Sequence, residues 1–261
     1  MKLSIIVPCF NEVDNVSILQ NELMPVIEDL VIQGNIDQSK NYSAEVVFVD
    51  DGSRDGTMTK LKEVFENYKR SEIALKFEQH ATNLGLGAAI RTGFSAADGD
   101  ILITVDSDGT YKFSEIPALL DCLVSEVDIV TASPYNPSGK VVGVPAYRLV
   151  LSKGSSMIYR ILVNWHVYTY TALFRAYRSD VVRRTRFESN GFLGGTELMV
   201  KAMLSGYRVA EYPAVLFKRV YGVSKAKIWQ TIKAHLKFQA WVLLYQVRSG
   251  LRLRSRENDG D

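Results

Sequence analysis

The sequence has few of the features that assign a chain quickly. Its 261 residues hold two cysteines, Cys9 and Cys122, and three histidines. That leaves neither a disulfide framework nor a Cys/His metal-ligand spacing. Such scarcity fits a reducing, cytosolic setting. No apolar run approaches the roughly 20 residues that cross a bilayer, and the longest late run covers only residues 240–245. The opening Met1-Lys2-Leu3-Ser4-Ile5-Ile6-Val7-Pro8 is too short in apolar content for a signal peptide and is expected to be a first strand. A dinucleotide fingerprint is missing as well. Asn83-Leu84-Gly85-Leu86-Gly87 has the wrong glycine spacing, so its glycines read as close helix–sheet packing. There is no internal repeat and no clear linker, which favours a single domain. Acids are scarce in the second half. Across residues 148–256, 20 Lys and Arg face only Asp180, Glu188, Glu197 and Glu211. This basic half is either a solvated face or a surface for phosphate or anionic lipid. No nucleic-acid-binding motif accompanies it, so no nucleic-acid partner is expected.

What is present alternates. Apolar, β-branched runs at 3–8, 45–49, 73–77, 100–105 and 128–132 are separated by segments of helical period, a β-α-β-α-β-α-β-α-β order. That order predicts an α/β domain, a mainly parallel sheet with helices on both faces. Asp14 or Asn15 can cap a first helix reaching about residue 33, with Pro25 bending or dividing it. Residues 133–145, with three prolines and two glycines, are expected to be a mobile loop. Beyond them the pattern predicts a helix over 148–163, β-like alternation over 168–177, a helix over 196–205, an extended 207–217 and a loop over 218–224. A basic amphipathic helix is expected from 225 to about 248, then a polar, disordered tail over 249–261.

Three of the predicted strands end in acid. Glu12 follows the first, Asp50 and Asp51 the second, and Asp106-Ser107-Asp108-Gly109 the fourth. Asp-Ser-Asp-Gly is also ordinary turn chemistry. In open α/β sheets, however, ligands bind beyond the carboxyl ends of the strands, and an Asp-x-Asp there suits a hard divalent cation. Carboxylates gathered on one edge repel by about 1 to 4 kcal/mol per pair, which a cation or a hydrogen-bond-donating ligand would offset. Asp51 is placed to accept from a ribose hydroxyl or a base N–H, and Asp106 and Asp108 to hold a cation bridging a diphosphate. A nucleoside diphosphate with a metal meets these demands.

With those residues in view, the chain resembles the inverting family-two glycosyltransferases of the GT-A fold. It is most similar to their dolichyl-phosphate mannose synthase-like branch, the polyprenyl-phosphate sugar transferases. The blocks that carry the resemblance run in order from residue 3 to about 237. They are Ile5-Ile6-Val7-Pro8-Cys9-Phe10-Asn11-Glu12, Val49-Asp50-Asp51-Gly52-Ser53-Arg54-Asp55-Gly56-Thr57, Asn83-Leu84-Gly85-Leu86-Gly87 and the Asp-x-Asp (DxD) block Val105-Asp106-Ser107-Asp108-Gly109. Further on come Phe174-Arg175-Ala176-Tyr177-Arg178, Glu197 and Arg219-Val220-Tyr221-Gly222-Val223-Ser224-Lys225. Two positions depart. Pro134-Tyr135 stands where that branch carries Arg-Tyr, and Thr169 stands where it carries Asp.

The resemblance implies a Rossmann-like GT-A domain over 1–225 and a nucleotide-sugar-dependent hexosyltransferase that uses GDP-mannose or a UDP-sugar with Mg²⁺ or Mn²⁺. Pro8, Phe10, Glu12, Val49 and Asp51 would line the nucleoside pocket. Val105, Asp106 and Ser107 would lie along the diphosphate, with Asp106 and Asp108 as metal ligands. Arg219 and Lys225 would meet phosphates of donor or acceptor. With a lipid-phosphate acceptor no general base is needed and Glu197 would orient; with a hydroxyl acceptor in polysaccharide, glycolipid or natural-product synthesis, Glu197 would be the base. A third reading, a non-catalytic nucleotide-sugar-binding subunit, stays open. The setting implied is cytoplasmic. The helix over 226–248 either packs on the domain or lies in an anionic membrane interface at the inner face, and a membrane partner subunit also stays open.

Overall fold

A computed structural model describes residues 1–36, 42–68, 70–219 and 228–258. Lys225 and the rest of the 220–227 segment lie outside the described residues. The chain opens with β1 (Lys2–Cys9), followed by a 3-10 turn (Val13–Asn15), α1 (Val16–Ile18), a π turn (Leu19–Leu23) and α2 (Met24–Ile36). Pro25 therefore divides this helical segment, as the sequence suggests. A proline has no N–H for the regular ladder, and the wider π turn just before it takes up the mismatch. Then come β2 (Ser43–Asp50), α3 (Thr57–Phe65), β3 (Ile73–Gln79), α4 (Leu86–Ala96), β4 (Ile101–Thr104), α5 (Ile116–Asp121) and β5 (Ile129–Ala132). The second half holds β6 (Lys140–Val142), α6 (Ala146–Leu162), β7 (Arg175–Arg178), α7 (Ser179–Arg184), α8 (Gly194–Leu204), β8 (Val209–Tyr212), β9 (Val215–Phe217) and α9 (Ile228–Asn258).

Seven strands form one sheet in the order β3-β2-β1-β4-β7-β5-β8, and β6 and β9 pair separately. β1, β2, β3 and β4 are mutually parallel. β7 is inserted antiparallel to both β4 and β5, and β5 pairs parallel with β8. The expected mainly parallel sheet is present, but the alternation over 168–177 yields a strand only at its end. The expected loop over 133–145 contains β6, which pairs parallel with β9 from Lys140–Val215 to Val142–Phe217. α9 is helical ten residues past Arg248, where the sequence pattern ends it. Arg, Leu and Glu are good helix formers and no proline interrupts them.

Alternate residues of each central strand enter different cores. Leu3, Ile5, Val7, Val46 and Phe48 join one cluster, while Ile6 and Leu102 join another with α8 and part of α9. Both sheet faces are covered, which is why these strands read as unbroken apolar runs rather than as polar–apolar alternation.

Candidate active site

The parallel strands deliver their carboxyl ends to one edge, and the strand order reverses at β1, the kind of switch point beside which open α/β sheets bind ligands. Val105 N donates to Ile6 O at 3.1 Å, so backbone groups of Ile6's parity face β4. Pro8 has that parity but lies two residues beyond the last β1–β4 pair, Ile6–Thr104, so its missing N–H removes no ladder bond.

Two loops at this edge are tied together. Asn11 takes the left-handed conformation (φ 51°), which Asn tolerates. Its N–H donates to Ser53 Oγ at 2.8 Å and its Oδ1 accepts from Arg54 N at 2.8 Å. Glu12 N donates to Thr57 Oγ1 at 2.9 Å. Glu12 is buried and its carboxylate accepts from Asn15 Nδ2 and, at 3.2 Å, from Arg219 Nη1. Arg219 also donates from Nε to Asp108 Oδ2 at 2.7 Å. Asp108 is buried, and its Oδ1 accepts from Thr110 N at 3.0 Å. The structure thus gathers Glu12, Asp108 and Arg219 from three distant segments.

Asp106 is half-buried beside them. Its carboxyl is pushed well above the usual range, first by burial and then by the Asp108 charge, with Arg219 and Arg148 acting the other way. Among the described residues no three His, Cys, Asp or Glu side chains gather as a metal-holding group. Asp106 and Asp108 place two hard carboxylate side chains one residue apart at this edge. That donor set fits Mg²⁺ or Mn²⁺.

Other expected site residues are placed differently. Asp51, 3% exposed, is enclosed by the chain itself. Its Oδ1 meets His80 Nδ1 at 2.7 Å and Leu84 N at 2.8 Å; its Oδ2 accepts from Asn83 Nδ2 and Gly85 N, both at 2.8 Å. In this arrangement Asp51 brackets the loop before α4 instead of presenting free oxygens to a ribose. Val49 packs with Val47 and Ala89 beneath α4, and Val105 lies in the main core. The side chains of both are structural, and what they offer the edge is backbone. Ser107 is buried, Phe10 half-buried. Cys9 is a packed thiol whose pKa burial drives up.

Glu197 sits in the first turn of α8 and is buried. It accepts from Ser189 N at 2.9 Å and Glu188 N at 3.2 Å and pairs with Lys201 at 2.6 Å. Burial opposes its charge, but these hydrogen bonds outweigh that and hold its pKa below the usual range. The loop it fastens caps α4, because Asn190 O accepts from Gly87 N at 2.7 Å. A Cβ on Gly87 would lie 2.0 Å from Ser189 O. The Gly85–Gly87 glycines therefore serve this loop contact, whereas the close helix–sheet approach is made at Gly93, against Ile6 and Val49.

Sequence reasoning passed over several residues. His80 ends β3 at the same edge, and a rule that examined every strand end, not only acidic ones, finds it. Arg148 stands on α6 with no motif around it, yet its charge opposes the upward pKa shift of both Asp106 and Tyr135. It also lines a cavity of about 390 Å³ between α6 and α9, with Tyr147, Leu151, Ser155, Ile232 and His235. Thr169 is buried against Ser133, their hydroxyls 2.8 Å apart, and Tyr135 carries Lys153 over its ring at 5.3 Å.

His235 joins α9 to α6 through Nδ1, which Tyr159 OH and Ser155 Oγ approach at 3.1 and 3.2 Å. Burial lowers its pKa from 6.5 to about 4. The unfolded chain binds this proton first, so stability is full above pH 6.5 and falls as pH drops toward 4, by up to about 3 kcal/mol. Melting temperature should decline between pH 6.5 and 5, above most carboxylate titration. In His235→Gln that part of the decline should flatten, and a decline of unchanged slope would assign it elsewhere.

Comparison with known proteins gives a consistent family. The profile of Glycosyl transferase family 2 matches residues 4–186. The dolichol-phosphate mannosyltransferase of Pyrococcus furiosus is 30% identical over 246 residues, covering 92% of this chain, which spans 64% of that longer protein. Polyprenol monophosphomannose synthase of Mycolicibacterium smegmatis is 29% identical over 245 residues, 91% of this chain and 85% of that one. Among solved structures, glucosyl-3-phosphoglycerate synthase from Mycobacterium tuberculosis, in complex with Mn²⁺, UDP and phosphoglyceric acid, superposes with a TM-score of 0.65. It covers 91% of this chain and 78% of its own at 14% identity, a likeness of fold.

Proposed function

The chain belongs to glycosyl transferase family 2, and from that premise we propose that it moves a sugar from a nucleotide-diphosphate sugar, GDP-mannose or a UDP-sugar, to a polyprenyl-phosphate lipid with inversion. One observation carries the choice of acceptor. Arg148 lines an apolar groove between α6 and α9 and also acts electrostatically on Asp106. An acceptor with an anionic head and an apolar tail fits that arrangement. The names of the Pyrococcus and Mycolicibacterium relatives agree with it.

In this reading the transferase domain covers residues 1–225. Asp106 and Asp108 hold Mg²⁺ or Mn²⁺, which would offset charge on the departing diphosphate. Glu12, with Pro8, Phe10 and the backbone at Val49, Val105 and Ser107, borders the nucleoside and diphosphate. Asp51, through its bracket on Leu84 and Gly85, fixes the loop that faces them. Arg219 and Lys225 meet phosphates, and Arg148 supplies a cation on the acceptor side, where Pro134 offers none. The acceptor phosphate is already anionic and attacks without a general base. That agrees with Glu197, whose oxygens are engaged by two backbone N–H groups and Lys201.

Incubation with labelled GDP-mannose or UDP-glucose, polyprenyl phosphate and Mn²⁺ tests this. Label should become extractable into organic solvent only when the lipid phosphate is present, and as the inverted anomer. Transfer to a water-soluble hydroxyl acceptor alone would favour the second enzyme reading, and donor binding without any turnover the non-catalytic one.

Among the described residues no helix is long and apolar enough to cross a membrane. α6 and α9 nevertheless expose Val150 (70%), Ile161 (68%) and Trp229 (76%). Apolar side chains beside Lys233 and Lys237 suit a peripheral contact with an anionic bilayer. Ile161→Glu with Trp229→Glu should weaken co-sedimentation with anionic vesicles by about tenfold or more; unchanged sedimentation would assign these helices to packing alone.

A further inference from the structure

Arg219 occupies the position among the acids that a cation would seek. It bridges Asp108 and Glu12 at 2.7 and 3.2 Å, and the backbone around it is anchored. Phe217 N donates to Thr110 O and Lys218 N to Val142 O, both at 2.9 Å. Thr110 N in turn donates to Asp108 Oδ1. The turn presenting Asp108 and the segment running from β9 to Arg219 are therefore joined by hydrogen bonds.

We propose that Arg219 is a specificity-determining residue that makes this acidic site exclude a bare divalent cation and admit one only together with a diphosphate. The proposal rests on the donor-site reading above and deepens it. A bare cation at Asp108 meets a guanidinium already on the same carboxylate. It must break two charge-assisted hydrogen bonds made by a half-buried arginine. A cation arriving with a diphosphate brings replacement acceptors, because phosphate oxygens match the guanidinium fork. Arg219 can then exchange carboxylate for phosphate without loss of bonding, and Glu12 keeps Asn15. Metal and donor enter as one complex, and the protein without donor stays closed to free Mg²⁺ or Mn²⁺.

The test measures Mn²⁺ binding by electron paramagnetic resonance and calorimetry on the full chain, without nucleotide and with GDP or UDP. Wild type should bind Mn²⁺ alone weakly and Mn²⁺ with one of the nucleotides well. Arg219→Gln should bind Mn²⁺ alone about tenfold tighter than wild type or more, and the Mn²⁺–nucleotide pair about tenfold more weakly. Arg219→Lys, which keeps the charge, should stay near wild type for Mn²⁺ alone. A purely structural role for Arg219 would weaken every form of binding together. Melting curves monitor folding, and Arg219→Met replaces the Gln variant if that one does not fold. Equal or weaker Mn²⁺ binding in the neutral variants, with wild type still binding Mn²⁺ and nucleotide, overturns the proposal alone. Absence of Mn²⁺ binding with either nucleotide in every form overturns the donor-site reading along with it.

Discussion

Asp108→Asn is expected to lower kcat by about 10³-fold while leaving the protein folded. The amide keeps an oxygen for Thr110 N, which donates to Asp108 Oδ1 at 3.0 Å. It loses the charge that faces Arg219 and would face a divalent cation. The structural penalty is the loss of one charge-assisted hydrogen bond, about 1–3 kcal/mol, or a few degrees of melting temperature in a chain of this size. In the proposed reading catalysis suffers more, because the carboxylate would hold the cation that offsets charge on the leaving diphosphate. Removal of divalent cations by a chelator should produce a comparable loss in wild type and little further loss in the variant. Turnover within threefold of wild type in Asp108→Asn would remove Asp108 from the metal site.

Glu197 gives the second large effect, of a different kind. Glu197→Ala leaves Glu188 N and Ser189 N without their acceptor and Lys201 without its carboxylate. The expected cost is about 3 kcal/mol, which should lower the melting temperature by about 9 °C. The loss should then travel. Residues 188–190 cap α4, the turn before α4 donates Leu84 N and Gly85 N to Asp51, and that bracket lies at the edge proposed above for the nucleoside. Donor KM should rise by about tenfold with a smaller change in kcat. A general base would behave otherwise. Glu197→Gln would then lower kcat a hundredfold or more, leave the melting temperature alone and remove the acid limb of the pH profile. Kinetics and melting on both variants separate positioning from proton transfer.

Much of the nucleotide half is legible in the residues themselves. Strands at 3–8, 45–49 and 73–77 lie within one or two residues of β1, β2 and β3, because strands covered on both faces are continuous apolar runs. β7 is legible only in part. The β-like alternation over 168–177 ends in it, but nothing in Arg175-Ala176-Tyr177-Arg178 announces an antiparallel strand inside the sheet, where Arg175 is completely buried. Its guanidinium reaches Tyr170 O at 2.6 Å, Thr131 Oγ1 at 3.0 Å and Gly195 O. These neutral acceptors come from three separate segments, so no local pattern announces that the charge can be buried. Arg148 is unreadable for a similar reason: its neighbours on α6 carry no motif, and only packing brings that helix near Asp106.

By itself, the sequence determined that Glu12, Asp51 and Asp108 stand at one edge. Each follows a strand, the strands are joined by helical crossovers, and parallel strands so connected must end on the same side. That inference needs only local pattern. Tertiary structure decided what each acid is free to do. Asp51 is enclosed by residues about 30 positions downstream. Asp108 and Glu12 are held by an arginine 111 and 207 positions away. A carboxylate's chemistry depends on which donors reach its two oxygens, and donors that distant in the chain are chosen by packing.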